Sequence, residues 1–313
     1  MRRWRWALSA VVGLLLVCAA WHIDWHAAVS VMRRASLATL AAAALANGIS
    51  LALRGVRWWI FLRGVGVQSL TLATRGAIVG SGFNNLLVAN GGDAARALLV
   101  ARASGVSRTT IFATLALDRL FDPLCFGLLV IVATFMVPLS SALHSARFAV
   151  AIALVIVAGL LAGLACAPTG PREERVGGWL AHIHEFRARV KSLSTWRRFV
   201  FALVCSIGVW LLQVVEYALV ARSLGIGVPV AGSVAAMICV NAGLVLRLTP
   251  GSIGYFQFAY GIAVSHFGIG MNAAVACAIL IQIVEIVPVT LTAVALAPGM
   301  ARREHDTIRA AFA

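Results

Sequence analysis

Between Ile111 and Val137 the chain runs for 27 residues in which Asp118, Arg119 and Asp122 are the only charges. About 20 mostly apolar residues are what an α-helix needs to cross the hydrocarbon of a bilayer. Runs of this character recur at Ala7–Trp21, Ala35–Leu53, Phe148–Ala167, Phe199–Ala221 and Met271–Ala297. No water reaches backbone amides in hydrocarbon, so each run has to satisfy its own N–H and C=O groups, and the helix does this within one segment. The composition fits: 12% of the 313 residues are charged, about half of what a soluble domain carries. The expected fold is all-α, a polytopic integral membrane protein that forms a single membrane domain over residues 1–313.

Two other apolar stretches are too short and too broken to cross. The run from Gly76 to Ala89 stops at Asn90-Gly91-Gly92, residues that accept backbone conformations others resist, and the basic segment Arg96–Arg108 follows. Gly232–Leu248 stops at Thr249-Pro250-Gly251, and Tyr255–Phe267 after it is again short of a span. These read as two re-entrant hairpins beside six transmembrane helices, or as eight crossings. The two parts share one grammar over residues 76–137 and 232–297. Asn85 to Asn241 is an offset of 156, Gly92 to Gly251 of 159 and Pro123 to Pro288 of 165. Three full crossings separate them, which inverts the second copy, and inverted repeats with broken helices are a transporter architecture.

The net charge of +15 comes from Arg at segment ends. In an apolar chain that is a topology signal and a contact for anionic lipid, not a nucleic-acid footprint. Arg2, Arg3 and Arg5 precede the first helix and no A-x-A site follows it, so a retained helix is expected rather than a signal peptide. Arg54, Arg57, Arg63 and Arg75 face the cytoplasm by the same rule and outweigh Arg33 and Arg34 on the other side. Loop 168–198, with seven Arg/Lys and three Glu, is cytoplasmic, and Gly178–Val190 within it suits a surface helix. Both termini are then cytoplasmic, in a bacterial inner membrane.

Charges inside apolar segments are costly unless paired or wetted, so they are the candidate functional groups. Asp118 and Asp122 are four apart on one helix with Arg119 beside them. They form either an internal salt bridge or a site in which Arg119 meets a lipid phosphate with its planar fork while the aspartates orient it or carry protons. Asp93 and Arg96 open a helix after a glycine break, where Asp caps free amides or Arg96 completes an anion seat. Gln213 and Glu216, and Gln282 and Glu285, each three apart, give polar stripes for interhelical hydrogen bonding or a charge relay through the glutamates. Arg247 precedes a break and suits either glutamate as a partner. Six scattered cysteines show no metal-ligand spacing. No nucleotide loop, nucleophile elbow or metal constellation is present, so neither a cofactor nor enzyme activity is expected.

At these residues the chain resembles a known family, the transmembrane flippase-like region of lysylphosphatidylglycerol synthases, whose stand-alone relatives include members linked to hopanoid biosynthesis. The matching pieces are Asn85-Leu86-Leu87, Gly92-Asp93-Ala94-Ala95-Arg96, Asp118-Arg119-Leu120-Phe121-Asp122 and Pro250-Gly251-Ser252-Ile253-Gly254-Tyr255-Phe256-Gln257. The resemblance implies a membrane protein that binds or moves lipids. Asp118 stands where the family commonly has Glu, Val88-Ala89-Asn90 where it commonly has Pro, and Gln257 where it often has Glu. The soluble aminoacyl-transferring domain is absent, so synthase activity is not expected. The expected function is translocation of an anionic, polyprenyl- or hopanoid-related lipid. Asn85, Asp93, Arg96, Asp118, Arg119, Asp122, Arg247 and Gln257 meet the substrate, and Glu216 and Glu285 relay charge. The alternatives are a small-solute secondary transporter and an accessory subunit of a lipid-modifying system. Membrane lipids and lipid-biosynthesis enzymes are the expected partners.

Overall fold

The structure, a computed structural model, describes residues 25–86, 91–136, 159, 195–244, 252 and 254–311. Among these the chain is helical with no strand. In order the helices are α1 (Trp25–Arg33), α2 (Leu37–Arg63), α3 (Leu70–Leu86), α4 (Gly91–Ser104), α5 (Arg108–Met136), α6 (Trp196–Ser223), α7 (Val230–Leu244), α8 (Tyr255–Ser265) and α9 (Met271–Ala311). Among the described residues three stretches are long and apolar enough to cross a membrane: Leu37–Arg63, Trp196–Ser223 and Met271–Leu296. The helix expected at Ala35–Leu53 therefore runs on to Arg63, and α1 lies between the runs expected at Ala7–Trp21 and Ala35–Leu53. Apart from Gly159, the runs expected at Ala7–Trp21, Phe148–Ala167 and Gly178–Val190 lie outside the described residues, as do Arg247 and Pro250-Gly251.

Local chemistry sets the helix ends. Ser36, Ser69 and Ser107 stand just before α2, α3 and α5, and their hydroxyls accept the N–H groups of Thr39, Leu72 and Thr110 at 3.4, 3.2 and 3.3 Å. Each meets an amide the helix itself leaves open. At the other end of α2, Gly66 has φ 96° and Val67 N–H reaches back to Leu62 C=O at 3.1 Å. That six-to-one bond needs a left-handed residue, which glycine supplies without a Cβ clash. Gly268 repeats the device after α8, with φ 77°.

The chain divides into two compact units. The first takes residues 1–49, 82–91 and 211–291; the second takes 50–81, 92–210 and 292–313. In the second unit a core of Trp58, Leu62, Ala73, Ala97, Val100, Ile111 and Leu115 joins α2, α3, α4 and α5. Phe61, Phe121 and Phe199 tie α2, α5 and α6 together, with ring centroids 5.7–6.5 Å apart. Gly76 and Gly80 let α3 come close: a Cβ on Gly76 would lie 3.1 Å from Trp58 and Val100, and one on Gly80 would lie 2.8 Å from Cδ of Arg96. In the first unit α7 packs on α8. Gly232 abuts Phe267 and Gly261 abuts Met271.

Within the expected repeat halves, α3, α4 and α5 and then α7, α8 and α9 are each a helix, a shorter helix and a long helix holding proline, Pro123 in α5 and Pro288 in α9, and the residues expected to form the two breaks lie largely outside the described residues.

Candidate functional site: a ring of six charges

α5 carries its charges on the side facing the second unit's interior. Asp118 is 1% exposed and meets two arginines from other helices. Arg57 of α2 donates through Nε to Asp118 Oδ1 at 2.7 Å, and Arg96 of α4 donates through Nη2 to Asp118 Oδ2 at 3.2 Å. Arg57 Nη1 also reaches Asp122 Oδ1 at 2.7 Å and Ser206 Oγ at 2.8 Å. Arg119 Nη1 reaches Asp122 Oδ2 at 3.0 Å, and its Nη2 donates to Asp93. Asp93 in turn lies 3.3 Å from Arg96 Nε.

Followed round, the partners close a circle of alternating sign: Asp93, Arg119, Asp122, Arg57, Asp118, Arg96 and back to Asp93. Three cations balance three anions, so the ring is neutral while every member has two opposite neighbours. That is how charges survive in an apolar protein, where a lone one is severely disfavoured. The ring is also asymmetric. Arg57, Asp118 and Arg96 are buried, whereas Arg119 is 39% and Asp122 32% exposed. The buried side is fixed further by the Arg96 guanidinium lying 4.7 Å over the Trp58 ring, a cation–π contact. The Trp58 indole donates to Thr114 Oγ1 at 3.1 Å.

Of the eight residues expected to meet substrate, Asp93, Arg96, Asp118, Arg119 and Asp122 belong to this ring. The salt bridging foreseen within one helix is present between Arg119 and Asp122, and Arg57, Asp93 and Arg96 extend it to two more helices. Arg57, the ring's most connected member, was expected only as a topology signal. Arg247 lies outside the described residues. Asn85 falls in the first unit, in the last turn of α3.

Gln257 belongs to a second polar centre, in the first unit. Its Oε1 accepts the Gly254 N–H at 2.7 Å, so its Nε2 is left to donate, which it does to Gln282 Oε1. Gln213 Nε2 donates to Glu285 Oε1 at 3.2 Å. The two expected polar stripes, on α6 and α9, therefore meet. Asn47 was not singled out in the sequence. Its Nδ2 donates to Val284 C=O at 3.0 Å, the carbonyl that loses its helical donor because Pro288 has no N–H. Glu216 is buried in the same unit at 2% exposure. Among the described residues no group of His, Cys, Asp and Glu is placed to hold a metal ion.

The family model of the lysylphosphatidylglycerol synthase transmembrane region matches residues 5–293. The chain belongs to that family. It is 27% identical over 325 aligned positions to a protein of Haloferax volcanii named glycosyltransferase AglD, covering 87% of this chain and 51% of the relative. The chain thus spans about half the length of that relative. It is 23% identical to a UPF0104 membrane protein of Methanothermobacter thermautotrophicus, with 85% of this chain and 87% of the relative covered. A UPF0104 membrane protein of Pyrococcus horikoshii is 30% identical over 120 residues, 37% of this chain and 36% of the relative. Membership in the family fits the helical fold and places the buried ring in a membrane protein.

Proposed function

We infer that this protein moves an anionic lipid between the leaflets of a bacterial inner membrane, with both termini cytoplasmic, and takes the head group at the ring of six charges. The observation that carries the reading is the ring's accessible arc. Arg119 is the exposed cation, and both of its carboxylate partners have a second arginine: Asp122 has Arg57 and Asp93 has Arg96. An arriving phosphate can therefore replace either carboxylate on the Arg119 fork, and the displaced carboxylate keeps an ion pair. Such an exchange leaves no buried charge alone, which is the main obstacle to passing a charged head group through an apolar protein. Arg57 and Arg96 hold the frame while Arg119 trades partners.

Two further considerations support the reading. A buried ion network adds little net stability over apolar packing of the same volume, so stability alone is a poor reason for placing six charges here. The family is named for an enzyme of lysylphosphatidylglycerol, itself a membrane lipid. In this reading the lipid leaves chemically unchanged, and the protein works beside the enzymes that make it.

The test is head-group-dependent lipid movement in proteoliposomes, with wild type and Arg119→Ala compared. A charge-assisted pair lost from the site is worth about 1.5–3 kcal/mol, so movement of the preferred lipid should fall roughly tenfold to a hundredfold. A folded Arg119→Ala protein that moves every lipid like wild type would overturn the assignment. Competition by soluble anions and not by lipids would mark a small-solute transporter instead.

A further inference from the structure

The first unit presents a basic surface where membrane topology calls for few cations. α2 is long enough to cross a bilayer, so the residues before it and Arg63 at its end lie at opposite faces. Arg33 and Arg34 just precede it, and both are exposed. The Ser36 N–H donates to the Ser223 carbonyl at 2.9 Å, which fastens the α1–α2 link to the end of α6. Arg222, also exposed, is the residue before Ser223. Three arginines from two segments thus stand within three residues of one hydrogen bond.

All three lie at helix ends, where a cation complements the backbone dipole. Capping does not require them. The Arg34 and Ala35 N–H groups close α1 on the Val31 and Met32 carbonyls, both at 3.1 Å. At the end of α6, Gly225 takes φ 70°, so that its N–H reaches Arg222 C=O and the Ile226 N–H reaches Ala221 C=O, each at 3.0 Å. Two helix ends carry about half a negative charge each, so three guanidinium groups leave roughly two positive charges over. Among the described residues none of the three has an acidic partner. Asp24, next in sequence to α1, lies outside the described residues. His26 and His266, exposed in the same unit, bring no negative charge. With both termini cytoplasmic this face is the opposite one, where arginine is ordinarily scarce.

We propose that this arginine face binds the phosphate of an anionic lipid in the non-cytoplasmic leaflet and receives the translocated head group there. The occupant follows from the chemistry. Guanidinium forks match phosphate oxygens in pairs. Val29 on α1 and Leu37 at the start of α2 flank them, 40% and 81% exposed, and suit acyl chains; a soluble anion has no use for such neighbours. The receiving role rests on the translocation reading; the binding does not.

Both are tested with a fluorophore on Gly227→Cys in a background without the native cysteines. Gly227 is exposed, follows the end of α6 and has open space around it. In nanodiscs, nitroxide-labelled phosphatidylglycerol should quench this probe more than the same lipid with a phosphatidylcholine head group. The preference should fall about fivefold with each arginine lost, until parity in Arg33→Gln/Arg34→Gln/Arg222→Gln. At about 1 M salt, where screening acts beyond about 3 Å, it should vanish in wild type as well. Arg63→Gln/Arg108→Gln, at the other face, should retain it. A preference that survives the triple variant or the salt, or that falls equally in Arg63→Gln/Arg108→Gln, overturns the site. The salt arm needs no substitution and so no refolding control. In proteoliposomes the triple variant should then move phosphatidylglycerol several-fold more slowly than wild type. Unchanged movement overturns the receiving role alone. No movement by folded wild type overturns translocation and the receiving role together, and the quenching then decides the binding by itself.

Discussion

The six residues of the ring obey a charge count that makes each one testable. Replacing Arg57 by Met removes a cation from the buried side and leaves Asp118 and Asp122 each short of a partner, for a net charge of −1. Breaking a buried pair in this way costs about 3–5 kcal/mol. Arg57→Met should therefore lower the thermal unfolding midpoint in detergent sharply, and adding Asp122→Asn to restore neutrality should recover a large part of the loss. Arg57→Lys should rescue poorly. The native side chain reaches Asp118 from Nε and both Asp122 and Ser206 from Nη1, a spread that a single ammonium does not cover. A double variant no more stable than the single one would show that the ring is not held by charge balance. Five of the ring residues were legible in the sequence because a charge within an apolar run has few cheap explanations. Arg57 was not, because in the sequence the uncharged apolar run ends at Leu53, just before Arg54. Four arginines from Arg54 to Arg75 looked like one cytoplasmic cluster, whereas the helix continues to Arg63 and carries Arg57 inside.

At the level of elements, the breaks and prolines were readable while their partners were not. Pro288 announces a gap in the α9 hydrogen-bond ladder, yet nothing local says that Asn47, 237 residues away along the sequence, fills it. The pairing predicts a specific non-additivity. Asn47→Ala should cost about 1–3 kcal/mol, the usual penalty for leaving a buried acceptor unmet. In a Pro288→Ala background residue 288 has its own N–H, and the same change should cost close to nothing. The interaction free energy of that double-mutant cycle, read from unfolding midpoints, is the quantity to measure; equal costs in both backgrounds would exclude the pairing. Gly80 gives a second element-level prediction. A Cβ there would press on Arg96 and on the Gly92 carbonyl, 3.0 Å away, so Gly80→Ala should destabilise by about 1–3 kcal/mol. Lipid movement should fall as well, because Arg96 has to leave its place in the ring. Helix α1 is hidden in the sequence for a related reason: its nine residues are too few to form a membrane-length apolar run.

For the whole molecule the open geometry is that of the two broken stretches, and helix length constrains it. At about 1.5 Å per residue, the 17 and 14 residues of α3 and α4 extend roughly 25 and 21 Å. The 15 and 11 residues of α7 and α8 extend roughly 22 and 16 Å, against a hydrocarbon core of about 30 Å. Paired helices of this length suit hairpins that enter and leave by one face, their breaks sheltered by protein or a wet cavity as irregular backbone at that depth requires. The turns flanking a hairpin do not discriminate, since two hairpin arms and two full crossings both return the chain to its starting side. The tips do. In a background without the native cysteines, Gly91→Cys in the first hairpin and Ser252→Cys in the second should resist a charged, impermeant maleimide added to either face and react with a small permeant one. Gln68→Cys and Gly270→Cys, at exposed flanking turns, serve as the positive controls. If the tips instead label from the face opposite their flanking turns, the arms cross fully, and α8 would have to be drawn into a locally thinned bilayer. The broken backbone would then lie at the membrane surface and could no longer guide a head group through the interior. That outcome would remove the path on which lipid translocation depends while leaving the ring of charges as a structural clasp.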